Sequence, residues 1–267
     1  MLEKSGVAKD LLYALQILLR RVPGGLALSV TIMGTIMAAT TGIIGASVVM
    51  MTLLALPVML ERNYDKSLST GTIAASGTLG ILIPPSIMLV IMADLLAISV
   101  GTLFVASVFP GLLLALLYFI YLLLRTRFNP KLAPPLPEDI GPDNAKEKIK
   151  LIFKSFLPPI FLIFLVLGSI FAGVATPTEA AGVGALGSIL LAILNKRLNF
   201  TVLKEVTERS ALTGAMIFGI FVGATAFSYV FRSLGGDDLI HHFVNEIGFG
   251  PWGILFIMMG LVFLLGF

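Results

Sequence analysis

The 267-residue chain is 57% hydrophobic and only 12% charged, where an ordinary soluble domain carries roughly 25% charged residues, and its mean hydropathy is +1.02. The +3 net charge arises from Lys and Arg confined to short polar stretches between apolar blocks, which gives no reason to expect nucleic acid, and zero Cys excludes disulfides and Cys-ligated metals. The apolar blocks exceed the roughly 20 residues that span a bilayer, so the composition defines an all-α polytopic membrane protein.

Residues 1–21 read as an amphipathic surface helix. Leu11, Leu12, Leu15, Leu18 and Leu19 form one apolar stripe, and Lys4, Lys9, Arg20 and Arg21 stay polar. No cleavable signal peptide is visible, because the apolar block after Pro23 is too long to be the apolar region of one. Residues 22–60 contain no charge. At about 39 residues this block is too long for one span and short for two with a loop. Gly42 and Gly45 fall near its centre, so a re-entrant hairpin turning at 42–47 fits, with two short complete spans as the alternative. After the polar loop 61–66, residues 67–93 are uncharged and interrupted at Gly77–Pro85, and Asp94 marks the far side. Residues 95–124 read as one long span kinked at Pro110-Gly111, followed by the Pro- and Lys-rich linker 125–154.

Residues 155–175 span again, with Pro158-Pro159 at the start. In Thr176-Pro177-Thr178-Glu179, Thr176 or Thr178 can cap the next helix, with Glu179 at its positive end. Residues 180–194 are rich in Gly and Ala, as tightly packed membrane helices are. An amphipathic stretch 198–209, a span 210–231, a turn 235–238, a short surface helix 239–247 and an apolar segment from 248 complete the chain.

Charge placement tests the topology. With residues 1–21 in the cytoplasm and 22–60 returning to the side it left, all 18 Lys and Arg except Arg232 fall inside. Asp94, Glu179, Asp237, Asp238 and Glu246 then fall outside. A single crossing by 22–60 puts the 125–154 linker and its seven basic residues outside. The positive-inside rule therefore favours the hairpin, or two spans, over one crossing.

Two interruptions stand close together in membrane-length sequence, Thr40–Ser47 and Ala74–Ser86, and each carries hydroxyls. Backbone released from a helix in lipid must find partners in protein or in a water-filled cavity. Paired breaks of this kind point to an ion or substrate site in a secondary transporter. Sodium is a hard cation that needs several oxygens, supplied by unwound carbonyls and by hydroxyls. Ser47 and Ser86 are the candidate side-chain ligands, and Gly42, Gly45, Gly80, Pro84 and Pro85 act through carbonyls or by shaping the turns. Half-helices starting near Ser47 and Ser86 aim positive ends at an anionic substrate. Ser76 and Thr78 are candidate substrate contacts, with bonding back to their own helix as the alternative. For the breaks as a whole the plainer alternative is packing glycines and a proline kink.

Asp94 and Glu179 sit at span ends and read as interfacial charges. His241 and His242 have no third ligand spaced to hold a metal. An intramembrane hydrolase has only Gly45-Ala46-Ser47 in its favour and lacks a His within a span to act as base. A passive channel is the other rival, and sodium-dependent uptake discriminates it from a carrier. No enzyme activity and no cofactor beyond the coupling Na+ is expected.

Several strings together resemble the large membrane (permease) subunit of tripartite ATP-independent periplasmic (TRAP) transporters. They are Gly42–Ser47, Tyr64-Asp65-Lys66, Gly71–Gly80, Ile83-Pro-Pro-Ser86, Ala175–Ala180, Phe231–Gly236 and Gly250-Pro-Trp-Gly253. The resemblance covers nearly the whole chain. It implies a sodium-driven importer of an organic anion, such as a C4-dicarboxylate or sugar acid, in the bacterial inner membrane. The implied partners are a small TRAP membrane subunit and a periplasmic solute-binding protein, besides the lipid bilayer. The implied fold is an inverted repeat moving as an elevator, with about six spans, a re-entrant hairpin and a broken helix. In that frame residues 22–124 belong to the first repeat (hairpin 22–60, broken helix 67–93, span 95–124) and 155–267 to the second. By resemblance Ser47 and Ser86, with backbone near Pro84 and Pro85, belong to the first sodium site. Both ends look like sequence from inside the family's chain, so a fragment that stops before the second hairpin tip is expected. A related sodium–carboxylate symporter that needs no binding protein is the alternative.

Overall fold

The computed structural model describes residues 1–2, 4–42, 44–135, 141, 144–248 and 250–265. Linker residues 136–140 and 142–143, and the expected start of a second hairpin at Gly266 and Phe267, lie outside the described residues. The chain divides into two units, 1–203 and 204–267.

The first unit holds α1 (Val7–Leu19), α2 (Gly25–Thr41), α3 (Ile44–Glu61), α4 (Lys66–Leu82), α5 (Ile87–Leu95), α6 (Val100–Phe128), a 3₁₀ turn (Pro130–Leu132), α7 (Ala145–Phe171) and α8 (Pro177–Leu194). Among the described residues five helical stretches are long and apolar enough to cross a membrane, counting Lys66–Leu95 as one. The protein is an all-α, multi-pass membrane protein.

α1 packs Val7, Leu11, Leu12 and Leu15 against α2 and α7, while Leu18, placed in the same stripe by its spacing, is 56% exposed. α2 and α3 form a hairpin whose reversal rests on Gly42. Its φ of +62° is one that glycine adopts without a Cβ clash, and its N–H returns to the Ala38 carbonyl at 3.2 Å. The open end is fastened by four hydrogen bonds between segments distant in sequence. Leu26 N–H donates to the Tyr64 hydroxyl (3.2 Å) and the Thr126 hydroxyl to the Pro23 carbonyl (3.0 Å). Gly24 N–H donates to Ala133 O (3.0 Å) and Asp65 N–H to Leu132 O (2.8 Å). The start of α2, the end of α3, the start of α4 and the end of α6 thus meet at one end. Residues 22–60 return to the end they leave, the arrangement that charge placement favours over a single crossing.

α4 lies against both hairpin arms because small residues let it. A Cβ on Gly34 would come within 2.7 Å of the Ser76 side chain, and one on Gly77 would run into Val48 of α3. The expected interruption from Gly77 onward is narrower in the structure. α4 is continuous through Gly77 and Gly80 to Leu82, and only Ile83–Ser86, with a cis Pro84–Pro85 bond, is non-helical. A helix-interior glycine costs only about 1 kcal/mol, which close packing offsets, whereas consecutive prolines remove donors that the helix cannot replace.

α6 passes through Pro110 and runs to Phe128, and α7 begins at Ala145, so the linker shortens to 129–144. Thr176 is the cap of α8, in a capping box with Glu179: the Thr176 N–H donates to Glu179 Oε2 at 2.8 Å, and the Glu179 N–H donates to the Thr176 hydroxyl at 3.3 Å.

α9 (Phe200–Ser233) is one helix across the boundary expected at 209/210. In the second unit Phe227 and Phe231 stack at 6.1 Å. The chain turns at Gly235 (φ +79°), with Gly236 tight against the Phe231 ring, into α10 (Gly236–Ile247), and α11 (Pro251–Leu265) follows. Side chains such as Phe218, Val222 and Phe227 are 70–73% exposed, a surface suited to lipid rather than water.

Candidate ion site at the paired helix breaks

The hairpin turn and the α4–α5 interruption lie against each other. A Cβ on Gly42 would stand 3.2 Å from the Pro85 carbonyl oxygen, 3.5 Å from Ile87 N and 3.6 Å from Ser86 Cα. Beside this junction opens a cavity of about 360 Å³, bordered by Thr40, Gly42, Pro85 and Ser86 and walled by residues such as Phe104 and Gly184.

Four helix ends converge here. α2 and α4 bring their C-termini, and with them the negative ends of their dipoles; α3 and α5 bring N-termini, which are positive. The prolines deepen the negative side. Residues 84 and 85 would donate to the carbonyls of Gly80 and Ile81 in a continuous helix, but proline has no N–H. Those two carbonyls are left without their helical donors. Ser86 precedes α5 yet makes no side-chain capping bond. It is 1% exposed, and among the described residues its Oγ has no hydrogen-bond partner. A buried hydroxyl left unmatched costs on the order of 1–3 kcal/mol, so this atom fits a ligand that supplies the missing interaction. Backbone carbonyls plus a hydroxyl form a hard-oxygen set suited to Na+.

The nominated residues separate. Gly42, Pro85 and Ser86 come together, Pro84 belongs to the same interruption, and Gly80 contributes as the carbonyl that Pro84 fails to satisfy. Ser47 is buried in the first turn of α3 but does not border the cavity. Gly45 is helical and exposed, with nothing within 4 Å of an added Cβ. Gly42 carries a positive φ at the end of α2 and α3 starts at Ile44, so Gly45 lies within a helix rather than in the turn. Ser76 points elsewhere, its hydroxyl donating to Thr31 Oγ1 at 3.4 Å. Thr78 is exposed and bonds back to the Ala75 carbonyl at 2.8 Å, as the alternative reading had it. Sequence reading missed the wall made by α8. Its Ala181, Gly184, Ala185 and Ser188 recur at helical spacing, a signal that was visible only as a packing pattern. Among the described residues no group of three His, Asp or Glu can hold a metal.

Two adjoining helix interruptions inside an all-α multi-pass protein are a feature that secondary transporters share. The comparison with known sequences is specific: residues 1–267 match the family described as "Tripartite ATP-independent periplasmic transporter, DctM component", and the chain belongs to it. It is 32% identical over 254 residues to a C4-dicarboxylate TRAP transporter large permease protein of Pseudomonas aeruginosa, covering 95% of this chain and 58% of that protein. It is 30% identical to the protein of the same name from Rhodobacter capsulatus (96% and 60% covered). It is 29% identical to an ectoine/5-hydroxyectoine TRAP transporter large permease protein of Ruegeria pomeroyi (92% and 56%). The chain therefore spans somewhat under two thirds of the length of these relatives.

Proposed function

We propose that this chain forms the ion-coupling part of a TRAP transporter large permease subunit that imports an organic anion with Na+ across the bacterial inner membrane. The observation that carries the reading is the contact of Gly42 with Pro85–Ile87 beside the unmatched Ser86 hydroxyl. In this reading Na+ takes its oxygens from Ser86 and from carbonyls of the two interruptions, and the N-termini of α3 and α5 face the anion. Family membership supports a small membrane subunit and a periplasmic solute-binding protein as partners. The named relatives differ in substrate, C4-dicarboxylate in two and ectoine in one. That difference supports selection largely by the binding protein, with the membrane subunit supplying coupling. The family match also favours this reading over a symporter that works without a binding protein.

The test is uptake by the full-length protein in proteoliposomes with its partners. Ser86→Ala is expected to raise the sodium concentration for half-maximal uptake about tenfold or more. The melting temperature without sodium should not fall and should rise slightly, since the substitution removes a buried hydroxyl that has no partner among the described residues. Unaltered sodium dependence in Ser86→Ala rejects the site.

A further inference from the structure

A second cavity, of about 330 Å³, lies between α2, α4 and α6 and shares no lining residue with the first. Its polar lining includes Asp65, Ser67, Thr72, Tyr118, Tyr121 and Arg125. It sits at the fastened end of the hairpin, where the fold brings together the end of α3 and start of α4, with Arg62 and Lys66, and the end of α6, with Arg125 and Arg127, the end that charge placement assigns to the cytoplasm. Among the described residues neither the Tyr118 and Tyr121 hydroxyls nor the Arg125 guanidinium has a partner. One Asp65 oxygen caps α4 by accepting from Leu68 N at 2.9 Å, and its other oxygen remains for a ligand. Beside the cavity one face of α6 leaves Leu117, Tyr121, Leu124 and Phe128 between 48% and 85% exposed.

We propose that this cavity binds the headgroup of a zwitterionic membrane phospholipid, with its phosphate on Arg125, its ammonium on Asp65 and an acyl chain along the exposed α6 face. The set of charges selects the class. A cation and an anion in one cavity match a phosphate and an amine, and the tyrosines offer hydroxyls at the depth where interfacial aromatics sit. The adjoining apolar face argues for a lipid over a soluble phosphate ester. Gly71 also borders the cavity, with nothing within 4 Å of an added Cβ, so a side chain there has room to start beside the headgroup site.

The experiment is native mass spectrometry of the full-length protein with added phosphatidylethanolamine, phosphatidylglycerol or free phosphoethanolamine. Retained phosphatidylethanolamine should fall about fivefold in Arg125→Gln. It should be lost in Gly71→Leu and unchanged in Arg127→Gln, which lies outside the cavity. Retention in both Arg125→Gln and Gly71→Leu, or an equal loss in Arg127→Gln, overturns the site. Equal retention of phosphatidylglycerol overturns the role of Asp65. Displacement by free phosphoethanolamine at equal concentration overturns the lipid as the source.

Discussion

Gly42→Ala, set against Gly45→Ala, separates two glycines that look equivalent in sequence. At Gly42 the backbone has φ +62°, where an L-residue costs roughly 1–2 kcal/mol. The new methyl would also lie 3.2 Å from the Pro85 carbonyl oxygen, so that the two interruptions must part by a few tenths of an ångström. Together these bias the packed junction by about 2 kcal/mol, equivalent to roughly thirtyfold in an equilibrium. If the packed junction is the form that binds Na+, half-saturation in a sodium titration of uptake rises by up to that factor. At Gly45 the position is helical and open, and alanine there gains about 0.5–1 kcal/mol of helix stability. Uptake titration and thermal melting of both full-length variants decide the matter. Equal sodium responses, or a larger change in Gly45→Ala, would refute the assignment of the junction to the ion.

Gly77→Ala drives a methyl into Val48 and should destabilise the protein by about 1–3 kcal/mol without changing sodium affinity, read as a lower melting temperature. Tyr64→Phe removes the acceptor for Leu26 N–H and should cost about 1 kcal/mol. Burial raises the Tyr64 phenol from 10.0 to about 12, so its contribution to stability is fully present below pH 10 and is lost as pH rises through 12. Phenolate absorbance in wild type against Tyr64→Phe checks that one tyrosine titrates late. Thr176→Ala dismantles the α8 capping box and should lower stability by about 1 kcal/mol, whereas Thr178→Ala should do nothing comparable.

Sequence alone placed the two interruptions to within a few residues and misjudged how they are built. Gly42 and the proline pair were legible because each does something that other residues do poorly: glycine takes a positive φ, and proline withholds an N–H. Gly45, Gly77 and Gly80 were ambiguous because a glycine without a Cβ serves a turn and a close packing contact equally well, and only the neighbours decide. Gly77 answers to Val48 and Gly34 to Ser76, contacts between helices that no local pattern reports. Ser76 and Thr78 face different surroundings although two residues apart, since 200° of helical rotation separates them. The return of residues 22–60 was legible, because charge placement is a global constraint that the bilayer imposes on every loop at once. One local rule carries information beyond the break itself. A proline at position i deprives the carbonyl at i−4, so Pro84 and Pro85 mark Gly80 and Ile81, one turn upstream, as the oxygens released toward the junction. The ion site proposed here is thus specified twice over, by the turn glycine that closes against Pro85 and by the donors the proline pair leaves out.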